Sequence, residues 1–210
     1  VNMNFDVLIL DDSSVDNTLE KVKLFTEQKK PEFNINLVKT KKNYGYAASQ
    51  KIAYTIFLEK TNCKKIIMLH GDGQYEAVLI NKFRNFTNNN YDVVQGYRDK
   101  ITFNLGDETS NFAYYTIKIL TFYENLVLGT NFKEWHSGFV MYSRDFLNKI
   151  PFNNLVNHPH IDGNILYIAK LLKTNVESVK IYKKYSYLNN YNYFKMIAYG
   201  IYILYIPFIF

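Results

Sequence analysis

The stretch Leu69-His70-Gly71-Asp72-Gly73-Gln74-Tyr75 places an imidazole, a carboxylate and an amide in one short turn, directly after the apolar run Ile66-Ile67-Met68-Leu69. An oxygen-bearing turn at the end of a buried strand is how a divalent-cation site reads. Glycines on both sides of Asp72 allow backbone conformations closed to other residues, and the apolar run has the character of a fully buried strand in a parallel sheet. Asp72 would then project from the carboxyl edge of that sheet, where open α/β sheets bind ligands. An Asp between glycines is also a common turn residue, so taken alone Asp72 carries both readings.

A second acidic strand end lies upstream, in Phe5-Asp6-Val7-Leu8-Ile9-Leu10-Asp11-Asp12-Ser13-Ser14-Val15-Asp16-Asn17-Thr18. Its Ser, Asp, Asn and Thr residues supply N-cap candidates for a helix over about residues 15 to 28. A short strand from Ile35 to Val38, the turn Asn43-Tyr44-Gly45 and a helix from about Ala47 to Glu59 follow. Strand, helix, strand, helix, strand is the pattern of a parallel sheet with right-handed crossovers. Further along, Asp92-Val93-Val94-Gln95-Gly96-Tyr97-Arg98-Asp99 is another strand ending in charge, and Glu134-Trp135-His136-Ser137-Gly138-Phe139 precedes the apolar Val140-Met141-Tyr142. A helix over about Gly163 to Leu172, begun by Asp162, and a strand from Val176 to Ile181 complete the series.

These stretches resemble the family 2 glycosyltransferases with the GT-A fold, the group that includes polyprenyl-phosphate sugar synthases and polysaccharide-building enzymes. Leu10 to Thr18 matches the family's Asp-Asp-x-Ser-x-Asp-x-Thr, Asn43 to Ser49 its Asn-x-Gly turn, His70 to Tyr75 its Asp-x-Asp region, and Trp135 to Phe139 its acceptor-side motif. The resemblance runs over roughly residues 5 to 182. It implies a three-layer α/β/α domain with a mostly parallel sheet, and transfer of a sugar from a UDP- or GDP-linked donor to a lipid-phosphate or saccharide acceptor in cell-surface glycan biosynthesis. The transfer would proceed with inversion and with Mg²⁺ or Mn²⁺, because the departing diphosphate develops charge that a clamped cation neutralises.

The resemblance also implies roles. Asp72 matches the second Asp of Asp-x-Asp and would hold the metal, Gln74 sits where some lipid-phosphate sugar synthases use a further ligand, and His70 replaces the first Asp. An imidazole there removes one negative charge and shifts preference toward Mn²⁺; a structural histidine at the strand end is the other reading. Asp11, Asp12 and Asn43 match the segments that hold the nucleotide, with helix capping as the alternative for the two acids. Arg98 offers a bidentate fork to a phosphate, or a surface salt bridge to Asp99. Glu134 and His136 are the candidate general bases, needed for a hydroxyl acceptor and less needed for an ionised lipid phosphate. Trp135, Ser137 and Gly138 would shape the acceptor side, Trp135 by stacking on a sugar or by packing in the core.

His158-Pro159-His160 invites a metal reading, but Pro159 keeps His158 extended and no second cluster completes a four-ligand set.

At 210 residues and 48% hydrophobic content the chain can bury one substantial core, and no linker divides it. One GT-A domain is expected over residues 1 to 185, with an apolar segment over 186 to 210. A single cysteine, Cys63, excludes an intramolecular disulfide framework and fits a reducing compartment. The net charge of +6 suits nucleotide phosphates or anionic lipid, while no Arg-rich cluster supports nucleic acid. The chain shows no signal-peptide pattern and enters almost at once the strand that is second in the family's order, so the first strand is expected to be missing. Met196 to Phe210 is nearly all apolar and aromatic, too short to span a bilayer but suited to lie in the interface, with Lys183, Lys184 and Lys195 facing an anionic cytoplasmic leaflet. Two competing readings are a nucleotidyltransferase, against which stands the lack of a Gly-rich basic loop, and a degenerate, non-catalytic binding domain, suggested by His70 and the early start of the chain.

Overall fold

Short β-branched runs and longer helical segments alternate along the chain. The computed structural model describes residues 5–29, 31–99, 108–184 and 193–205. In chain order the regular elements are β1 (Val7–Asp11), α1 (Thr18–Lys29), β2 (Ile35–Lys39), α2 (Tyr46–Lys60), β3 (Lys65–Met68), α3 (Ile80–Arg84), β4 (Val93–Arg98), α4 (Asn111–Leu128), β5 (Val140–Ser143), α5 (Arg144–Leu147), α6 (Ile161–Leu171), β6 (Val176–Ile181) and α7 (Tyr193–Tyr205). Helix α1 begins at Thr18 because the Asp16 carboxylate accepts the Thr18 N–H at 3.1 Å, leaving residues 15 to 17 in the capping turn.

The chain divides into two compact units, Val1–Thr61 with Val156–Pro159, and Asn62–Leu155 with His160–Phe210. In the first, β1 and β2 pair in parallel with Val7 opposite Ile35 and Asp11 opposite Lys39. The crossover helix α1 joins them, as the strand–helix–strand pattern requires.

The second unit holds a four-stranded sheet of order β3-β5-β4-β6. Strands β4 and β6 are parallel from Val93 opposite Val176 to Arg98 opposite Ile181. Strand β5 runs antiparallel to both β3 and β4. It runs back along the first half of β4, with Val140 opposite Gln95 and Tyr142 opposite Val93. The mostly parallel sheet expected from the alternation is therefore mixed at β5. The core of this unit gathers Tyr75, Leu79, Phe83, Val94, Phe139, Met141 and Ile181. Each such side chain contributes about 1.5–3 kcal/mol when fully removed from water.

Helix α4 was not signalled by the sequence. Ser110 caps it by accepting the Ala113 N–H, and Gly129 ends it in the left-handed conformation at φ 62°. Its two charged residues, Lys118 and Glu124, both turn inward: Lys118 Nζ donates to the Arg98 carbonyl at 2.9 Å, and Glu124 is 1% exposed. The outer face is left to Phe112, Tyr115, Ile119, Phe122 and Leu126. Helix α7, the front part of the apolar C-terminal segment, packs on α4 through Leu120 and Ile203 and through a hydrogen bond from Tyr123 to the Leu204 carbonyl. Pro207 and the rest of that segment lie outside the described residues. Among the described residues no helix is long and apolar enough to cross a membrane.

Candidate functional site

In the first unit the two acids at the end of β1 take different tasks. Asp12 accepts hydrogen bonds from the backbone N–H of Tyr44 at 2.9 Å and of Gly45 at 2.8 Å, and from Thr40 Oγ1 at 3.0 Å. Burial pulls its pKa upward, but these bonds outweigh it and hold the carboxyl below the ordinary aspartate range. Asp12 is thus the clamp on the Asn43 turn rather than a group offered to a ligand. Asp12→Ala is expected to release that turn and cost about 1–3 kcal/mol of stability, measured by chemical denaturation.

Asp11 is 5% exposed, and its Oδ1 accepts the Ser14 N–H at 3.2 Å. Its buried Oδ2 has no hydrogen-bond partner, with Lys39 Nζ 3.9 Å away. A carboxylate oxygen can accept from a ring N–H or a ribose hydroxyl, and Lys39 is the group such a donor would have to displace from Oδ2. Asn43 is exposed on the turn that Asp12 holds.

In the second unit the loop after β3 projects Asp72 into solvent. Its Oδ1 accepts the Gln74 N–H at 3.0 Å, and Gly73 at φ 71° supplies the left-handed residue that closes the turn. The loop is tied to the end of β6: Lys184 N–H donates to the Gln74 carbonyl at 2.8 Å, Lys184 Nζ lies 2.6 Å from Glu76, and Tyr182 hydrogen-bonds the same carboxylate. Lys183 stands 5.5 Å over the Tyr75 ring. Burial, with Lys183 adding to it, pushes His70 below the ordinary imidazole range against the pull of Asp72, so the ring is neutral at pH 7. A neutral imidazole keeps a lone pair for a metal. The loop therefore fits a divalent cation held by Asp72, with His70 and the Gln74 amide beside it. Among the described residues no third acid or histidine joins Asp72 and His70, which leaves room in the shell for phosphate oxygens and water. Lys183, read from the sequence as a residue suited to an anionic leaflet, instead stands beside this loop; its place just past a strand end is the signal that could have pointed there.

Three expectations are corrected around β4 and β5. Arg98 is 3% exposed and does not reach for phosphate, because Glu134 occupies its fork: Nε donates to Oε1 at 2.9 Å, a terminal N–H donates to the same oxygen, and the Arg98 backbone N–H donates to Oε2 at 2.7 Å. Asp99 pairs instead with Lys180 at 3.0 Å. Glu134 is not placed as a base. Burial would raise its pKa, but the charge and hydrogen bonds of Arg98 hold it below the ordinary glutamate range, and it is 0% exposed. Trp135 does not offer a face to a sugar: it is buried against Phe132 and donates Nε1–H to Asn125 Oδ1 at 3.0 Å. Ser137 and Gly138 are buried beside it.

His136, the other candidate base, is also committed. Its ring is 4% exposed, with Nε2 2.9 Å from Glu124 and Nδ1 3.1 Å from Tyr199 Oη. His160 lies on the same two partners, with Nε2 3.3 Å from Glu124 and Nδ1 3.0 Å from Tyr199 Oη. His158 falls in the first unit, while His160, against the expectation that no cluster would form around these histidines, joins Glu124 and His136. Glu124 and Tyr199 had no sequence signal that joined them to it.

Residues 2–151 match the family described as "Glycosyl transferase family 2". The uncharacterized protein MJ0544 of Methanocaldococcus jannaschii is 29% identical over 156 residues, 72% of this chain, and the match spans 66% of that protein's length. Among solved structures, the chain is similar to glucosyl-3-phosphoglycerate synthase from Mycobacterium tuberculosis in complex with Mn²⁺, UDP and phosphoglyceric acid. That match has a TM-score of 0.66 at 11% identity and covers 96% of this chain and 67% of the other. The same enzyme with Mg²⁺ and UDP matches at a TM-score of 0.64 and 12% identity over 95% of this chain and 67% of the other. At these identities the likeness establishes the fold, which is the GT-A fold of the sequence resemblance.

Proposed function

The chain belongs to glycosyl transferase family 2, and from that premise we propose that it moves a sugar from a nucleoside-diphosphate donor onto an ionised phosphate of a lipid-linked acceptor at a membrane surface. Asp11, by its place in the stretch that resembles the family's nucleotide-holding motif, is the residue assigned to the nucleoside. Asp72, with His70 and Gln74 beside it, holds Mg²⁺ or Mn²⁺ against the diphosphate, and Lys183, just past β6, adds positive charge beside the loop. The cation would neutralise charge on the leaving group. The acceptor phosphate oxygen attacks the anomeric carbon from the side opposite the diphosphate, the bond from that carbon to the diphosphate oxygen breaks, and the configuration inverts.

One observation carries the choice of acceptor: both candidate general bases are locked in buried networks, Glu134 on Arg98 and His136 on Glu124 and Tyr199. A sugar hydroxyl needs its proton removed at the transition state, whereas a phosphate monoester is already ionised at neutral pH. A phosphate acceptor needs neither residue. The lipid part of the proposal is supported by α4 and α7, whose outer faces present Phe112, Tyr115, Ile119, Phe122 and Leu126, and Ile197, Ile201, Leu204 and Tyr205. An uncharged apolar face of this size suits the headgroup boundary of a bilayer.

The test is transfer from UDP- and GDP-sugars to a polyprenyl phosphate in vesicles, run beside a matched polyprenol and a free oligosaccharide. Product with the phosphate alone is expected; equal transfer to a hydroxyl acceptor would overturn the choice. Co-sedimentation with anionic vesicles tests the membrane face. Ile119→Glu combined with Phe122→Glu is expected to weaken it by about tenfold or more while leaving thermal stability unchanged, because both side chains are 68% exposed.

A further inference from the structure

The polar cluster of the second unit ties together four segments: Glu124 on α4, His136 in the loop before β5, His160 at the start of α6 and Tyr199 on α7. It forms a closed ring in which each imidazole turns Nδ1 to the Tyr199 hydroxyl and Nε2 to the Glu124 carboxylate. Proton counting shows what the ring lacks. With an ionised Glu124, two neutral imidazoles and a neutral phenol, three protons serve four contacts. One lone pair must therefore face another. The structure places the defect at His136 and Glu124: Nε2 and Oε2 stand 2.9 Å apart, within hydrogen-bond distance, yet out of line for a hydrogen bond, and both atoms are buried without another partner. A buried carboxylate facing a lone pair calls for a cation.

The Tyr199 oxygen has two lone pairs and can accept from both Nδ1–H groups. That choice of tautomer turns both Nε2 lone pairs onto Glu124, the arrangement in which metal-bound histidines hand their second ring nitrogen to an outer partner. The three ligand atoms lie within 4.8 Å of one another. The His160 ring fits there only because residue 163 is glycine: a Cβ at Gly163 would stand 2.0 Å from His160 Nε2. We propose that Glu124, His136 and His160 form a buried Zn²⁺-type metal site, oriented by Tyr199 and separate from the donor cation at Asp72.

Two imidazoles and one carboxylate form a donor set that suits Zn²⁺, with a water completing the shell. Both imidazoles would bind through Nε2 as neutral ligands and Glu124 as its anion. The site would fasten α7 and α4, which carry the apolar outer face, to the loop before β5 and the start of α6. The proposal does not depend on the acceptor or on the transferase reading.

Untagged protein stripped with chelator, reloaded with Zn²⁺ and passed through metal-free gel filtration is expected to retain one Zn²⁺ per chain by elemental analysis. Asp72→Ala is expected to retain it equally. Co²⁺ in its place should give visible d–d absorption of low symmetry. Tyr199→Phe, which keeps all three ligands, should weaken Zn²⁺ binding by about 10–100-fold. Glu124→Gln and Gly163→Ala should abolish retention, the latter by displacing the His160 ring without removing any ligand. Folded wild type that retains no Zn²⁺ would overturn the proposal and assign the missing cation to a fourth proton. Retention lost in Asp72→Ala, or kept in Glu124→Gln, would overturn it as well.

Discussion

Asp72→Ala is expected to remove Mn²⁺-dependent binding of UDP and GDP and to lower sugar transfer by about 10²–10⁴-fold, the several kcal/mol of charge stabilisation that a bound cation supplies. Three features of the loop make the effect large. The carboxylate is the one anionic ligand in the β3 loop, because the family's first Asp is replaced by His70. His70 cannot supply the missing negative charge, since an imidazole is neutral at best, and burial keeps it from becoming a competing cation. Asp72 is also held in place by the Gln74 N–H, and that bond survives in part in Asp72→Asn. The asparagine variant therefore separates loop geometry from charge. If charge is what matters, Asp72→Asn and Asp72→Ala should be nearly equally inactive, with the loop intact in the former. Calorimetric titration of each nucleotide with and without Mn²⁺ reads this directly. Unchanged metal-dependent affinity in both variants would mean that the cation sits elsewhere.

The strands that deliver the acids were legible because their chemistry is local. Ile9-Leu10 before Asp11 and Ile67-Met68 before the Asp72 loop are short apolar runs that stop at turn residues, and the chain does what those residues dictate. Helix α4 was illegible for the opposite reason. Patterning assumes that charged residues face water, yet Lys118 and Glu124 face inward with Ala113, Tyr114 and Leu120, while other apolar side chains, Phe112, Ile119 and Phe122 among them, face outward. A reader of the sequence therefore sees no face at all, and Glu124 is lost with it. The pairing of Arg98 was misjudged by adjacency. Neighbouring residues at a strand end point to opposite sides, so Arg98 enters the core to meet Glu134 while Asp99 crosses to Lys180 of β6. Asp12 reads from the sequence as a cap for the helix that follows it, but Asp16 takes that place, and the actual target of Asp12, the turn at residues 44 and 45, became visible only when β2 brought that turn alongside β1.

Glu134→Gln decides whether the acceptor motif carries a base or a strut, and a strut is the expected outcome. Its carboxylate is wholly buried and receives Nε, a terminal guanidinium N–H and the backbone N–H of Arg98. An amide of the same size removes the countercharge and leaves the Arg98 guanidinium uncompensated in the core. Breaking a buried pair in this way costs about 3–5 kcal/mol. In a chain of this length that lowers Tm on the order of 10 °C. Arg98→Met with Glu134→Leu should recover most of the loss, since two apolar side chains of similar volume remove both charges together. A base would behave otherwise. It would leave Tm near the wild-type value in Glu134→Gln while kcat fell and KM held, and recovery of stability in the double variant would not apply. The two readings thus separate on one plot of Tm against kcat, and a stable but inactive Glu134→Gln would return the proton-accepting role to Glu134 and reopen the case for a hydroxyl acceptor.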